Sequence, residues 1–285
     1  MAFEKTIDII RSAQSSNTSV FSVNCIDFNT IKGVIWAAEE TATPVLVQLY
    51  PGHMSQWKVT NIEGFAAFAK RLASEVRVPV GLHLDHCYTY DEIRRAADAG
   101  FTSVMYDGSE LSLEENAEKT RVITGEMHAR GVAVEGEIGH VGLAAEDAGS
   151  DLDLYTKPDA AKQFYEASGV DLLAIAIGNA HGFYKGTPHL DIERLDAIHA
   201  AAPSLALVLH GGSGIPDDQL EVAFSRGINK FNYGTNYLWA YYKAMESFMK
   251  EHEKEPYTDV LDMSIPVQGA LIEHMKERLR LSRFE

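Results

Sequence analysis

The chain has 285 residues, of which 46% are hydrophobic and 23% charged, a composition typical of one large globular domain with a full core. A formal net charge of −16 argues against binding to nucleic acid or to an anionic membrane surface, because both require a basic face. No apolar run is long enough to span a bilayer, and the N-terminus lacks the pattern of a signal peptide, so we expect a cytoplasmic protein. In that reducing compartment the two cysteines, Cys25 and Cys87, are expected to be free thiols.

Short apolar segments alternate with helical patterns along the whole chain. The predicted strands span residues 18–23, 44–49, 79–84, 102–106, 132–138, 171–177, 205–209 and 228–232. Predicted helices include residues 3–14, 62–73 and 90–100, and the chain from Thr235 onward is mostly helical. This order predicts an α/β fold, a (β/α)8 TIM barrel with an extra N-terminal helix and a helical C-terminal extension, formed by residues 1–285 as a single domain.

Helix-ending glycines support this division into units. Gly100, Gly169 and Gly227 directly precede the fourth, sixth and eighth predicted strands. Glycine is favoured at this position because the residue that ends a helix often adopts a left-handed conformation. These three glycines therefore mark the ends of the helices that connect the strands.

Polar residues gather where the predicted strands end, and catalytic groups of TIM barrels lie at these ends. They are Asn24, Gln48, Asp85, His86, Asp107, Glu137, Asn179, His181, His210 and Asn232. Three of them, His86, His181 and His210, each interrupt an apolar run on a different strand. Three imidazoles at one barrel mouth predict a catalytic metal site, with zinc favoured over iron or manganese. The other histidines near strands or loops, His53, His83 and His189, are interpreted as structural.

The acidic residues at the strand ends allow more than one role. Asp85 could cap the next helix, but its position beside His86 and its lack of a basic neighbour in sequence favour a general acid/base. Asp107 and Glu137 could begin helices, could hydrogen-bond to the histidines, or could together hold a second divalent or monovalent cation.

Two glycine-rich segments follow the seventh and eighth strands, at residues 211–214 and 232–236. Loops at these places in TIM barrels commonly bind phosphate through backbone N–H groups and a helix N-terminus. Lys185, in the loop after the sixth strand, could add a positive charge to the same anion.

Six motifs carry a resemblance to a known family. They are His-Leu-Asp-His (83–86), Val-Met-Tyr-Asp-Gly-Ser (104–109), Glu-Gly-Glu-Ile-Gly (135–139), Gly-Asn-Ala-His-Gly-Phe-Tyr-Lys-Gly (178–186), Leu-His-Gly-Gly-Ser-Gly-Ile-Pro (209–216) and Asn-Tyr-Gly-Thr (232–235). Their order and spacing resemble the class II, metal-dependent fructose-bisphosphate aldolases, and most closely the branch that contains the tagatose-bisphosphate aldolases. The likeness extends from about Phe21 to Thr235.

The resemblance implies reversible cleavage of a ketose phosphate to dihydroxyacetone phosphate and an aldehyde through a metal-stabilised enediolate. It implies that His86, His181 and His210 hold Zn²⁺ and that Asp85 moves the proton of the aldehyde-derived hydroxyl. Glu146 would be the mobile acid that removes the C3 proton, and Asp107 and Glu137 match the second-cation positions. The substrate-binding residues would be Asn24, Gly182, Lys185, Gly211, Gly212, Ser213, Asn232, Gly234 and Thr235. We also expect a homodimer or homotetramer.

Three segments depart from the family pattern. They are Tyr-Pro-Gly-His-Met (50–54), Glu110 where the branch usually has histidine, and Leu-Ala-Ala (143–145) before Glu146. The arginine that contacts a distal phosphate in some relatives has no unique counterpart among Arg278, Arg280 and Arg283. These departures leave the dihydroxyacetone phosphate half intact, and an acidic Glu110 predicts that fructose 1,6-bisphosphate is a poor substrate.

Two other functional classes are compatible with the fold. A sugar isomerase or hydrolase on a metal-containing barrel would need a carboxylate-dominated cluster or a His-X-His pair after the first strand, and residues 21–27 offer neither. A phosphosugar-binding protein without catalysis would be expected to lack Asp85 or one of the metal histidines. A lysine Schiff base could replace a metal, and Lys230 is the only lysine within the last three strands.

Overall fold

The computed structural model describes residues 2–56, 61–139, 154–252 and 260–284, and it confirms the predicted TIM barrel. Eight parallel strands close a barrel in chain order. They are β1 (Val20–Asn24), β2 (Val45–Leu49), β3 (Val80–Cys87), β4 (Ser103–Tyr106), β5 (Ala133–Ile138), β6 (Leu172–Ile175), β7 (Ala206–Leu209) and β8 (Ile228–Tyr233). The α-helices are α1 (Thr6–Ser15), α2 (Phe28–Thr41), α3 (Pro51–Gln56), α4 (Ile62–Ala73), α5 (Tyr90–Ala99), α6 (Leu113–Ala129), α7 (Pro158–Ser168), α8 (Ile192–Ala201), α9 (Asp217–Ser225), α10 (Thr235–Glu251) and α11 (Val260–Leu279).

The helix boundaries follow from local sequence. Gly100 and Gly169 end α5 and α7 in the left-handed conformation, with φ of 90° and 69°. The first helix begins at Thr6 rather than near residue 3, because Phe3 forms a parallel bridge with Val80 and the backbone of Glu4 donates to the Val80 carbonyl. Phe3 and Glu4 are therefore extended and pair with β3, and the first helix begins after them.

Helix α1 closes the N-terminal end of the barrel with apolar side chains. Ile9 and Ile10 are buried in one cluster with Leu46, Leu172 and Val208 from the strands. The larger apolar core lies between the strands and the surrounding helices. Near the C-terminus of the chain, helix α11 packs against α2 and α10. No helix among the described residues combines the length and the apolar character that a membrane crossing requires.

A layer of polar side chains fills the barrel above this apolar end, where most TIM barrels carry branched aliphatic residues. Its fully buried members are Ser22, Gln48, His83, Ser103, Glu135 and Lys230. The strand register brings these groups together, since Asn24 pairs with Gln48 and Ser22 pairs with Asn232. The polar layer lies directly beneath the barrel mouth.

Candidate active site at the barrel mouth

The end of β3 places two consecutive side chains in the same cavity. Neighbouring residues of a regular strand point to opposite faces, yet Asp85 and His86 both line the mouth of the barrel. The pairing of β3 with β4 shifts register between Leu84 and Cys87, and His86 has a φ of 41°. This irregular, left-handed step turns both side chains toward the barrel axis.

The cavity at the mouth has a volume of about 380 Å³ and collects most of the predicted site residues. Its lining includes Asn24, Asp85, His86, Asp107, Glu137, His181, Gly182, Gly211, Gly212, Ser213, Asn232, Gly234 and Thr235. His210 is fully buried behind this surface. Lys185 is exposed and does not line the cavity, and Glu146 lies outside the described residues.

Further residues complete the cavity on the side of β2, β3 and β4. Tyr50, His53, Tyr88, Ser109 and Glu110 all contribute to its wall. The sequence marked Tyr50 and Glu110 as departures from a family pattern and linked Glu110 to substrate choice, whereas His53 was interpreted as structural. Tyr88 was missed, although its position two residues after His86 was a usable signal.

The three histidines converge as predicted. The His86 Nε2 lies 2.9 Å from the His210 Nδ1, and the His181 ring centroid lies 5.0 Å from that of His86. One ring nitrogen of His86, one of His181 and one of His210 lie within 4.8 Å of one another. A second group that could hold a cation consists of His86, Asp107 and Glu137.

Carboxylates determine which ring nitrogen carries the hydrogen in His86 and in His210. The His86 Nδ1 is 2.9 Å from the Asp107 Oδ2, and the His210 Nε2 is 2.8 Å from the Glu135 Oε1. A carboxylate only accepts, so these two nitrogens carry the hydrogens. The opposite nitrogens face each other 2.9 Å apart, so a proton or a metal ion must lie between or beside them.

The remaining buried carboxylate also fits a metal ion. The Glu137 Oε2 has no hydrogen-bond partner among the described residues and lies 3.7 Å from the His210 Nδ1. Burial raises the pKa of Glu137 to about 8. Burial alone would lower the pKa of His86, but Asp85, Asp107 and Glu137 outweigh it and raise that pKa to about 10. In the absence of a metal ion, His86 and Glu137 therefore hold protons that a bound metal ion would displace.

Asp85 is held by two amides rather than by a helix terminus. Its Oδ2 accepts from the Asn24 Nδ2 and its Oδ1 from the Asn232 Nδ2, both at 3.0 Å. The residue at the N-cap of α5 is Thr89, so Asp85 does not cap that helix. Burial opposes ionisation, but the charges of His86, His210 and Lys230 and the Asn24 hydrogen bond lower the pKa of Asp85. A carboxylate in this state can accept a proton.

Neighbouring groups fix the orientation of both amides. Ser22 donates to the Gln48 Oε1, and the Gln48 Nε2 donates to the Asn24 Oδ1 at 3.1 Å. On the other side, the Lys230 Nζ donates to the Asn232 Oδ1 at 2.6 Å. Each asparagine oxygen is thereby occupied, so each NH₂ group faces Asp85.

Lys230 does not have the environment of a Schiff-base lysine. It is fully buried, does not line the cavity, and its Nζ contacts the Glu135 Oε2 at 2.9 Å as well as Asn232. An amine engaged by two partners beneath the cavity floor is not available to a substrate carbonyl. Lysine-based covalent catalysis at this position is therefore not supported.

The glycine-rich loops after β7 and β8 close the opposite side of the cavity. A side chain at Gly211 would meet the carbonyl oxygen of Ala180, and one at Gly212 would meet the ring of Phe231. The Ser213 Oγ accepts from the backbone N–H of Asn236, in the first turn of α10. The loops therefore bring backbone groups and a helix N-terminus to the cavity, an arrangement suited to an anion.

Comparison with known proteins gives a consistent result. Residues 4–284 match the family described as fructose-bisphosphate aldolase class-II. A sulfofructosephosphate aldolase from Alkalicoccus urumqiensis is 33% identical over 286 aligned positions, which cover 99% of this chain and 96% of that protein. The crystal structure of the YdjI aldolase from Escherichia coli K12 is 32% identical, with a TM-score of 0.86, over 99% of this chain and 98% of that one. The fructose-bisphosphate aldolase of Campylobacter jejuni shares the fold, with a TM-score of 0.84 at 23% identity over 100% of this chain and 97% of that one.

Proposed function

The chain belongs to the class II fructose-bisphosphate aldolase family and is an aldolase, and we propose that it is a zinc-dependent enzyme that cleaves a ketose phosphate reversibly to dihydroxyacetone phosphate and an aldehyde. The observation that carries the proposal is the convergence of His86, His181 and His210 beside Asp85 in one cavity. A carbon–carbon cleavage needs both an electrophile for the developing negative charge and a group that accepts the hydroxyl proton.

The three histidines would hold the zinc ion, and Asp107 and Glu135 support this role by fixing the nitrogens of His86 and His210. When bound, the ion supplies Lewis-acid stabilisation of negative charge on substrate oxygens. Asp107 and Glu137, which form a second donor group with His86, are proposed to serve a second cation position.

Asp85 is proposed to accept the hydroxyl proton during cleavage and to return it during condensation. Its lowered pKa and its two amide donors support a carboxylate that is ionised before the reaction starts. Glu146 is proposed to exchange the C3 proton of dihydroxyacetone phosphate, a role that rests on its position in the family motif.

The phosphate of dihydroxyacetone phosphate is proposed to bind between the loops after β7 and β8. Gly211, Gly212 and Ser213 line the cavity on one side, and Gly234 and Thr235 line it at the start of α10. Backbone N–H groups at this helix N-terminus favour a dianion despite the acidic character of the whole chain. Gly182 and Asn232 complete the wall on this side, whereas Lys185 would need to move to contribute.

The distal half of the substrate is proposed to carry no second phosphate. Glu110 and His53 line the cavity on the side away from the glycine loops, and the described lining contains no lysine or arginine. Arg278 and Arg283 instead pair with Asp217 and Glu221. The curated relative acts on sulfofructosephosphate, so membership of the family is compatible with substrates other than fructose bisphosphate.

A coupled assay tests the proposal directly. Cleavage of ketose 1-phosphates should release dihydroxyacetone phosphate, should stop with a strong chelator and should return with Zn²⁺ or Co²⁺. Borohydride added with substrate should not inactivate the enzyme. Activity that survives chelation and is trapped by borohydride on a lysine would refute the zinc assignment. The single-domain organisation, the homodimeric or homotetrameric state and the cytoplasmic location stay predictions.

A further inference from the structure

Lys230 is a buried cation beneath the barrel mouth that contacts both halves of the catalytic apparatus. The side chain of Lys230 is fully buried, and its Nζ lies 2.9 Å from the Glu135 Oε2 and 2.6 Å from the Asn232 Oδ1. From Glu135 the contacts continue to His210, and from Asn232 they continue to Asp85. The two branches share no atom other than this Nζ.

We propose that Lys230 is a positioning residue that sets, through these two branches, the nitrogen that His210 offers to a metal ion and the amide group that Asn232 offers to Asp85. The inference rests on the proposed zinc-dependent function and adds a specific residue to it. Lys230 touches neither the cavity nor a reacting atom, so its effect is exerted entirely through Glu135 and Asn232.

The first branch determines the hydrogen on His210. Glu135 accepts from the His210 Nε2 with one oxygen while its other oxygen faces Lys230. The Lys230 ammonium forms an ion pair with that second oxygen, so Glu135 lies between a cation on one side and the His210 Nε2 on the other. An acceptor at this position requires the hydrogen of His210 to lie on Nε2, which leaves the Nδ1 lone pair for a metal ion.

Another imidazole nearby does not take over the role of this cation. The His83 Nε2 lies 3.6 Å from the Glu135 Oε2, but burial and the charge of Lys230 hold the pKa of His83 well below its usual value. His83 is therefore neutral beside Glu135. Among the described residues, Lys230 supplies the compensating charge for that carboxylate.

The second branch determines which face of Asn232 meets Asp85. An ammonium can only donate, so it binds the Asn232 oxygen and directs the NH₂ group to the Asp85 Oδ1. Without Lys230 the amide can rotate by half a turn, and its oxygen would then face the carboxylate of Asp85. Asp85 would lose one of the two donors that hold it.

Two variants separate the branches. In Lys230→Met the charge is removed while the length of the side chain is nearly kept, and Glu135 is left as an uncompensated buried carboxylate. In Lys230→Met combined with Glu135→Gln neither of these two positions carries a charge, yet the glutamine oxygen can still accept from the His210 Nε2. Neither variant can orient Asn232. Lys250→Met is the matched control, since Lys250 is exposed and its ion-pair partner among the described residues is Glu246.

The measurements are the dissociation constant for Zn²⁺ alone, from competition with a chromophoric chelator, the visible spectrum of the Co²⁺ form, and kcat at saturating Zn²⁺. Lys230→Met should weaken Zn²⁺ binding by about ten- to hundredfold, as loss of an outer partner of a metal ligand does, and should alter the Co²⁺ spectrum. It should also lower kcat by about tenfold or more at saturating metal, because Asp85 loses a donor. The double variant should recover Zn²⁺ affinity but not kcat.

The double variant keeps the inference falsifiable if Lys230→Met alone fails to fold. Recovery of both properties, or of neither, in the double variant would overturn the two-branch assignment, as would a Lys230→Met protein with wild-type Zn²⁺ affinity and kcat. If the wild-type protein bound no Zn²⁺ or cleaved no ketose phosphate, the proposed function would fail instead. The two failures are thus distinguishable within one set of measurements.

Discussion

Replacing Asp85 with asparagine tests both the chemistry and the architecture of the site. The NH₂ groups of Asn24 and Asn232 both face this side chain and cannot turn, because Gln48 and Lys230 occupy their oxygens. An asparagine at position 85 offers one oxygen to two donors, so one N–H is left without an acceptor. Loss of a hydrogen bond to a charged group corresponds to about 1.5–3 kcal/mol.

For a domain of this length the loss corresponds to a fall in Tm of roughly 3–6 °C. Turnover should fall about a hundredfold or more, the usual contribution of a positioned acid/base. Calorimetry and the coupled cleavage assay at saturating Zn²⁺ measure the two effects. Asp191→Asn is the control, since Asp191 caps α8 without lining the cavity and asparagine caps equally well. Near-normal turnover would refute the acid/base role, and an unchanged Tm would refute the argument from the fixed amides.

Four further outcomes are expected. Glu146→Gln should slow exchange of the C3 proton of dihydroxyacetone phosphate in deuterated water, followed by NMR, and unchanged exchange would assign that step to another base such as Asp85. The pKa values of His86 and Glu137 are raised to about 10 and about 8, so Zn²⁺ binding should release protons and should tighten as pH rises from 6 to 9. Calorimetry in buffers of different ionisation enthalpy measures the released protons, and identical heats in these buffers would contradict the prediction. In metal-free protein the stability contributed by protonated His86 is present below its unfolded pKa of about 6.5 and is lost as pH rises toward 10, so the Tm should fall over that range. Glu110→Gln should raise kcat/KM for fructose 1,6-bisphosphate more than for a matched 1-phosphate, and a wild-type preference for the bisphosphate would refute the specificity proposal.

The barrel and the convergence of His86, His181 and His210 were predictable because each leaves a local signal. Strand–helix alternation follows from burial periodicity, and a histidine that ends an apolar run is visible without a structure. His83 was correctly interpreted as structural, since it is fully buried and bonded to Ser103. Cys25 and Cys87 are free and buried.

Contacts between distant strands left no such signal. Glu135 and Lys230 lie 95 positions apart in sequence, on strands five and eight, and nothing in either segment indicates the partner, so the two could not be paired by inspection. The side-chain directions of Asp85 and His86 depend on the irregular step in β3, which a regular strand pattern does not predict. Lys185, predicted as an anion ligand from its neighbours, is exposed in the structure, and its role in anion binding stays a prediction.

The polar layer inside the barrel has a consequence for how this enzyme can change during evolution or engineering. Most of its groups pair with one another, so a single substitution leaves a buried partner without its hydrogen bond or counter-charge, and compensating changes must arrive together. Selection for a new substrate should therefore proceed through the rim, where Tyr50, Tyr88 and Glu110 border the cavity without belonging to that layer. A library that varies these three positions and spares the strands should yield folded variants at a much higher frequency than one of equal size directed at the barrel interior.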